Sequence, residues 1–303
     1  MPSHIFTRLG LWEESIASNV SSLAVAHCYM EEMGIEGHYF EALHAMDYLV
    51  YAHLQRGDNA AARKYAASTR DARALYPLNL SATVYPLAAM PTRIALENKD
   101  WAAAAALRHP APSVDWDAFP WHNAVLYYGR ALGAAHTGDF EAAAAAVAKL
   151  EQLQFVLRAK RPAVDAIQVD QLGIQIKAAT GWLVFLRDDR EAGLALLQEA
   201  AALERHTSKH PMTPGDVLPA LELLGDMLLQ MNRYPEALAA YEENLAARPN
   251  RFNGVYGAAL AAQGSGDEAT AKRYFELLVA LTTATESDRP ELAEAVAYLE
   301  GAH

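Results

Sequence analysis

The chain has one cysteine, Cys28, in 303 residues. A lone cysteine excludes an intrachain disulfide framework and suits a reducing, cytoplasmic compartment. With Tyr29 beside it and no obvious base, Cys28 reads as a buried structural thiol. No apolar run reaches the roughly 18 residues of a transmembrane helix. No charged start leads into an apolar stretch, so neither a membrane partner nor a signal peptide is expected. β-Branched alternation is almost absent, which argues against a sheet. Basic residues are outnumbered, 25 Lys and Arg against 37 Asp and Glu, for a formal net charge of −12. A nucleic-acid binder needs a basic face, so that partner class is not expected. There is no Ser/His/Asp set, phosphate-binding glycine loop or dinucleotide fingerprint. No enzyme activity and no cofactor are therefore expected.

What the chain does contain is apolar residue, 52% of the total, and alanine in runs at Ala102–Ala106 and Ala142–Ala146. Both are strong helix signals. The stretch Leu218 to Arg251 shows the pattern best. Leu221, Leu224 and Leu228 fall at i, i+3 and i+7, one stripe on one helix. Gly225 inside that helix costs about 1 kcal/mol against Ala, which a close approach by the next helix explains. Asn232 to Pro235 makes a turn, with Pro235 in the first turn of a second helix. That helix carries Ala237, Tyr241 and Leu245 at i, i+4 and i+8, and Pro249 closes it. One such hairpin cannot bury its stripe alone, so neighbours must stack on it.

Leu224-Gly225, Ala237, Tyr241 and Pro249 fall at the spacing of a tetratricopeptide repeat (TPR), and the stretch resembles that family. The resemblance implies an all-α fold: a single TPR-like α-solenoid of antiparallel helical hairpins over residues 1–303, wound as a right-handed superhelix. Turn signals at residues 10, 57, 99, 138, 187, 232 and 266 place the hairpins at 1–33, 38–75, 81–108, 121–157, 163–205, 218–251 and 252–285, with a capping helix at 288–300. Only the last turn-to-turn spacing, 34 residues, equals the TPR period. In the TPR register Gly10 is a turn position, so the chain is expected to start inside a repeat, either as a piece of a longer protein or with a naturally short first helix. Such an edge favours homo-oligomerisation. Pro86 and Pro91 predict a late start or a kink in the first helix of the third hairpin. MPSHIFTRLGLWEESIASN, GHYFEALHAMDYLVYAHLQRGD and KHPMTPGDVLPALELLGD also resemble a group of functionally unassigned bacterial TPR proteins. In that group the first segment lies within a longer chain, after further His-rich helices. No activity follows from this likeness.

In TPR proteins the first helix of each hairpin lines a concave groove. By that register the groove takes His4, Arg8, His44, Asp47, Tyr51, Arg93, Tyr128, Lys177, Glu222, Asp226, Asn253 and Tyr256. Mixed charge with aromatics suits a protein or peptide partner with hydrogen-bonding groups. The paired Lys and Asn of chaperone TPR clamps are not present. The plainer account is that these are solvated helix faces. His44, Asp47 and Tyr51 share one helical face, and with His4 they form the alternative: a metal or small-molecule site, catalytic in a longer parent chain. Against a metal, His38, Glu41 and His44 lack the HExxH spacing. Trp116, Phe119, Trp121 and His122 read as a satellite core under a Pro-rich connector. His206, Lys209 and His210 beside Thr213-Pro214-Gly215 read as an inter-hairpin loop, the sharper alternative being an anion site at the start of the next helix.

Overall fold

A computed structural model describes residues 2–69, 72–78, 80–159, 166–283 and 285–301. Among them the chain is all-helical, with fifteen α-helices and one two-residue parallel ladder. The helices are α1 (Pro2–Arg8), α2 (Trp12–Met33), α3 (Phe40–Gln55), α4 (Asn59–Ala67), α5 (Ser81–Glu97), α6 (Trp101–Ala105), α7 (Pro120–His136) and α8 (Phe140–Ala159). They continue as α9 (Ala166–Arg187), α10 (Arg190–His206), α11 (Ala220–Gln230), α12 (Tyr234–Ala247), α13 (Phe252–Gly264), α14 (Glu268–Thr282) and α15 (Pro290–Gly301). The ladder joins β1 (His38–Tyr39) to β2 (Leu75–Tyr76). The expected hairpin start at Ala163 lies outside the described residues. No described helix is long and apolar enough to cross a membrane.

The turns follow from two adjacent residues. Gly57, Lys99, Gly138 and Gly266 adopt positive φ, which ends one helix, and each is followed by an aspartate. Those aspartates cap the next helix: Asp58, Asp100, Asp139 and Asp267 accept from the amides of Ala61, Ala103, Ala142 and Thr270 at 3.0 to 3.1 Å. Such a cap contributes about 1 kcal/mol. Gly10 and Asn232 adopt the same left-handed conformation at two other turns. α5 starts at Ser81, with no late start, and carries both Pro86 and Pro91 within its length. Packing against α3 on one side and α7 on the other offsets the lost backbone bonds.

Each long hairpin packs its two helices together, and the first helices also pack on one another in sequence: α3 on α5, α5 on α7, α7 on α9, α9 on α11, α11 on α13. The run then returns, with α13 in contact with α3. Further bonds reinforce the closure. The Trp12 indole donates to the Asn250 carbonyl at 2.7 Å, Asn59 donates to Asp288 at 2.6 Å, and Ser287 donates to the Gly57 carbonyl at 2.8 Å. The core is continuous through this run and includes fully buried Tyr128, Trp182, Tyr241, Phe252 and Phe275.

Candidate functional site

Because α13 meets α3, the inner helix faces enclose a polar network rather than an open channel at that point. Arg251, at the start of α13, is its hub and is fully buried. Its Nε and Nη2 donate to the Glu222 carboxylate on α11 at 2.8 and 2.9 Å. Nη2 also donates to Glu97 on α5 at 2.8 Å, and Nη1 donates to the Tyr51 hydroxyl on α3 at 2.8 Å. Gln55 and Asn253 donate to the same Glu97 carboxylate at 3.1 Å each. Burial pushes the Glu97 carboxyl upward, while Arg251 pulls it down. A second buried arginine, Arg93, donates to the backbone carbonyls of Asp216 and Gly215 at 2.7 and 2.8 Å. Its Nε stands 3.4 Å from Asp47, whose carboxyl burial raises to about 6 against the opposing pull of Arg93.

Beside this network opens a pocket of about 640 Å³. α1 supplies Thr7 and Arg8, α2 supplies Trp12, and α3 supplies Tyr51. Across from them stand the end of α10, the loop through Lys209 and Asp216, and Arg248 after α12. The acidic groups of the wall are committed within the chain. Glu204 accepts from the amides of Ala220 and Leu221 at 2.7 and 3.2 Å, capping α11. Asp216 accepts from Arg248 at 2.7 Å, and Glu243 accepts from Arg205 at 2.7 Å. Lys209 is different. Its Nζ is enclosed and has no hydrogen-bond partner among the described residues. Burial, helped by nearby Arg8, lowers it to about 8.

His4 and His44 meet next to this pocket, Nε2 to Nε2 at 3.1 Å, with the His4 ring stacked on Tyr48 at 4.9 Å. Burial lowers both, His44 to about 4, so His44 is neutral at pH 7. The other members of the alternative site turn elsewhere: Asp47 to Arg93, and Tyr51 to Arg251. Among the described residues no group of three or more His, Cys, Asp or Glu side chains is placed to hold a metal ion. His38 lies in the short ladder, paired with Leu75.

The remaining groove positions divide by burial. Asp47, Tyr51, Arg93, Tyr128, Glu222 and Asn253 are buried, so the plain account of them as solvated faces does not hold. Tyr128 donates to the Leu218 carbonyl at 3.4 Å. Asp226 accepts from Lys99 at 3.0 Å and from the Tyr241 hydroxyl at 2.6 Å. Lys177 pairs with Glu199 at 2.6 Å, and Tyr256 bonds Glu294. Of the α1 groove positions, Arg8 lines the pocket and is exposed, while His4 is partly exposed and lies outside its lining. Trp116, Trp121 and His122 are buried in the main core, not in a satellite, because Trp121 stacks on Tyr85 of α5 at 4.6 Å. Cys28 is exposed, contrary to the buried thiol expected. α2 buries only Trp12, Ser15, Asn19 and Ala26, and its other faces are partly or fully open. Exposed Ile5, Leu9, Val25 and Met33 make part of the α1–α2 surface apolar.

Sequence reasoning reached Lys209 as a loop residue, with an anion site at the start of the next helix as the alternative, and did not reach Glu97, Asp216, Arg248 or Arg251. An arginine at a helix start carries no local mark that it will be enclosed. No protein-family model matches the chain, and no curated protein matches it significantly.

Proposed function

We propose that this chain is a binding module built of TPR-like helical hairpins, without catalytic activity, and that its ligand is a protein segment or peptide. The seat is the pocket between α1 and the loop through Lys209. One observation carries this reading: the pocket, about 640 Å³ in volume, remains open beside the buried network that fills the inner faces of α3, α5, α11 and α13. A space of that order holds several side chains. Trp12 and Leu221 offer apolar contact, and Arg8 offers a charged rim.

The test is selection from a random peptide library on the intact chain, followed by affinity measurement for the enriched sequences. Binding should fall about tenfold or more in an Arg8→Glu variant, the range expected when a rim charge is reversed. Enriched peptides that bind the variant equally well would overturn the seat.

A second reading has one observation in its favour. Two ring nitrogens 3.1 Å apart, one on a neutral His44, are available for a small ligand or a metal ion at the N-terminal end of the chain. Elemental analysis of the purified chain and of a His4→Ala, His44→Ala variant decides it. A stoichiometric transition metal that disappears in the variant supports this reading, and its absence from both removes the metal form of it.

A further inference from the structure

We infer that the inner part of the pocket is a carboxylate site, in which the Lys209 ammonium and the Arg8 guanidinium receive an acidic group of the ligand. This rests on the reading of the pocket as the ligand seat. The acid comes from an Asp or Glu side chain of a bound peptide or from a small free carboxylic acid.

The charge pattern of the wall leads there. Four cations line the pocket, Arg8, Arg205, Lys209 and Arg248, with three anions, Glu204, Asp216 and Glu243. Every anion already holds a partner in the chain: Arg248 takes Asp216 at 2.6 Å and Glu204 at 3.5 Å, and Arg205 takes Glu243. Arg205 and Arg248 are thereby committed too. Lys209 and Arg8 remain. The Lys209 Nζ is the telling atom, since an enclosed ammonium with no acceptor is costly and marks a place where an acceptor belongs. Asp47 and Asp216 act on Lys209 only from a distance, as Arg93 does. None of the three forms an ion pair with it among the described residues.

A carboxylate fits better than a phosphoryl group. Two cationic side chains match the two oxygens of a carboxylate. The field of Asp47 and Asp216 disfavours two negative charges on one group, as in a phosphate dianion, more than one charge per carboxylate. A phosphate would also seek the amides at a helix start, and at α11 those are taken by Glu204 at 2.7 and 3.2 Å. The anion at the start of that helix is thus the chain's own side chain, and the unpaired cation is Lys209, whose enclosed Nζ reaches an incoming acid by a rotation of its side chain. Trp12, Pro214 and Leu221 offer apolar contact to the methylene part of the acid.

Isothermal titration of the full chain tests this with succinate, its neutral diamide, inorganic phosphate, and an acetylated, amidated alanine peptide carrying one Glu. Succinate or the Glu peptide should bind, the diamide should not, and phosphate should bind more weakly. Affinity should fall about tenfold or more in Lys209→Met and in Arg8→Ala, the loss expected for a charge-assisted contact, while Lys149→Met binds as the parent does. Arg8 is exposed, so its variant keeps the test open should Lys209→Met not fold. Phosphate binding as tightly as the acids, no binding by either acid, or binding indifferent to both variants overturns the inference. Succinate binding that depends on Lys209, without binding of the Glu peptide, keeps the carboxylate site and removes the peptide reading. Library peptides that depend on Arg8 but not on Lys209 do the reverse.

Discussion

Arg251, which immediately precedes α13, donates from Nη1 to the hydroxyl of Tyr51 on α3 at 2.8 Å, although 200 residues separate them in the chain. Between them the same guanidinium gathers Glu97 from α5 and Glu222 from α11. Four helices from distant parts of the chain thus share one buried cation. Enclosed ion pairs add little net stability over an apolar filling, but they tolerate the loss of one partner poorly. The network therefore specifies how the ends of the helix run meet more than it strengthens the fold as a whole.

Removing the hub should show this. Arg251→Met leaves Glu97 and Glu222, both about 1% exposed, without their cation. Urea unfolding at pH 7 should give a loss of about 3–5 kcal/mol. A loss below about 1 kcal/mol would mean that the pairs are solvated and that α13 does not seal against α3.

Much of the fold was legible in the chain because its turns are local. A residue able to take positive φ, followed by an aspartate that caps the next helix, is a four-residue affair, and Gly57-Asp58, Lys99-Asp100, Gly138-Asp139 and Gly266-Asp267 carry it in plain view. Register singled out Asp47, Tyr51, Arg93 and Glu222 as residues of an open groove, but it did not show that they would be buried. Whether those faces look onto solvent or onto one another depends on the angle at which every helix crosses the next, and the decisive contact, α13 on α3, is set by all of those angles together. Lys209 had no periodicity to betray it, since it lies in the loop between α10 and α11. An anion site was the alternative reading of that loop, and what no local pattern could show is that Arg8 from the other end of the chain lines the same pocket.

Gly225 on α11 should resist replacement. A methyl group there would stand 2.6 Å from the Tyr241 ring of α12, and the same ring crowds Gly257 of α13, where a methyl would stand at 2.2 Å. Alanine at 225 improves helix propensity by up to about 1 kcal/mol, yet the ring cannot retreat from both helices at once. Its hydroxyl is also held by Asp226 at 2.6 Å. Gly225→Ala should therefore lower stability by a net of about 1–3 kcal/mol. A variant more stable than the parent in the same urea assay would show that Tyr241 moves freely.

Stability should fall as the solution is acidified. His136 lies between the rings of Trp101 and Trp182, at 3.9 and 4.5 Å, and burial lowers it from 6.5 to about 4. His122 and His44 are lowered likewise, to about 3 and about 4. In the window from pH 6.5 down to 4 the unfolded chain takes up these protons and the folded chain does not, so unfolding becomes easier. Each histidine contributes at most about 1.4 kcal/mol per pH unit. Asp47, raised from 3.8 to about 6, and Glu97 and Glu204, also raised by burial, work in the opposite sense and favour the folded state as pH falls. The histidines that burial lowers, with His4, His38, His53 and His210 beside the three already named, outnumber these carboxyls. His136→Phe, which keeps the stack, should flatten the slope of unfolding free energy between pH 6.5 and 4. An unchanged slope would place the proton on His136 in the folded protein.

Lys209 should show opposite effects on binding and on stability. Burial lowers its ammonium from 10.5 to about 8, so below pH 8 the folded chain carries an enclosed charge that the unfolded chain keeps in water. Lys209→Met removes that charge and keeps most of the volume. At pH 7 it should raise the unfolding free energy by about 1–3 kcal/mol, the range for an enclosed polar group left unpaired, while weakening acid binding. The sign of the pH dependence checks the cause. Between pH 8 and 10.5 the folded lysine has lost its proton and the unfolded lysine has not. The parent should therefore gain stability across that window, and its deficit against Lys209→Met should close. Saturating succinate at pH 7 should close it as well, by supplying the missing acceptor. A variant that is less stable than the parent at pH 7 would instead make Lys209 a structural residue and leave the pocket without its cation.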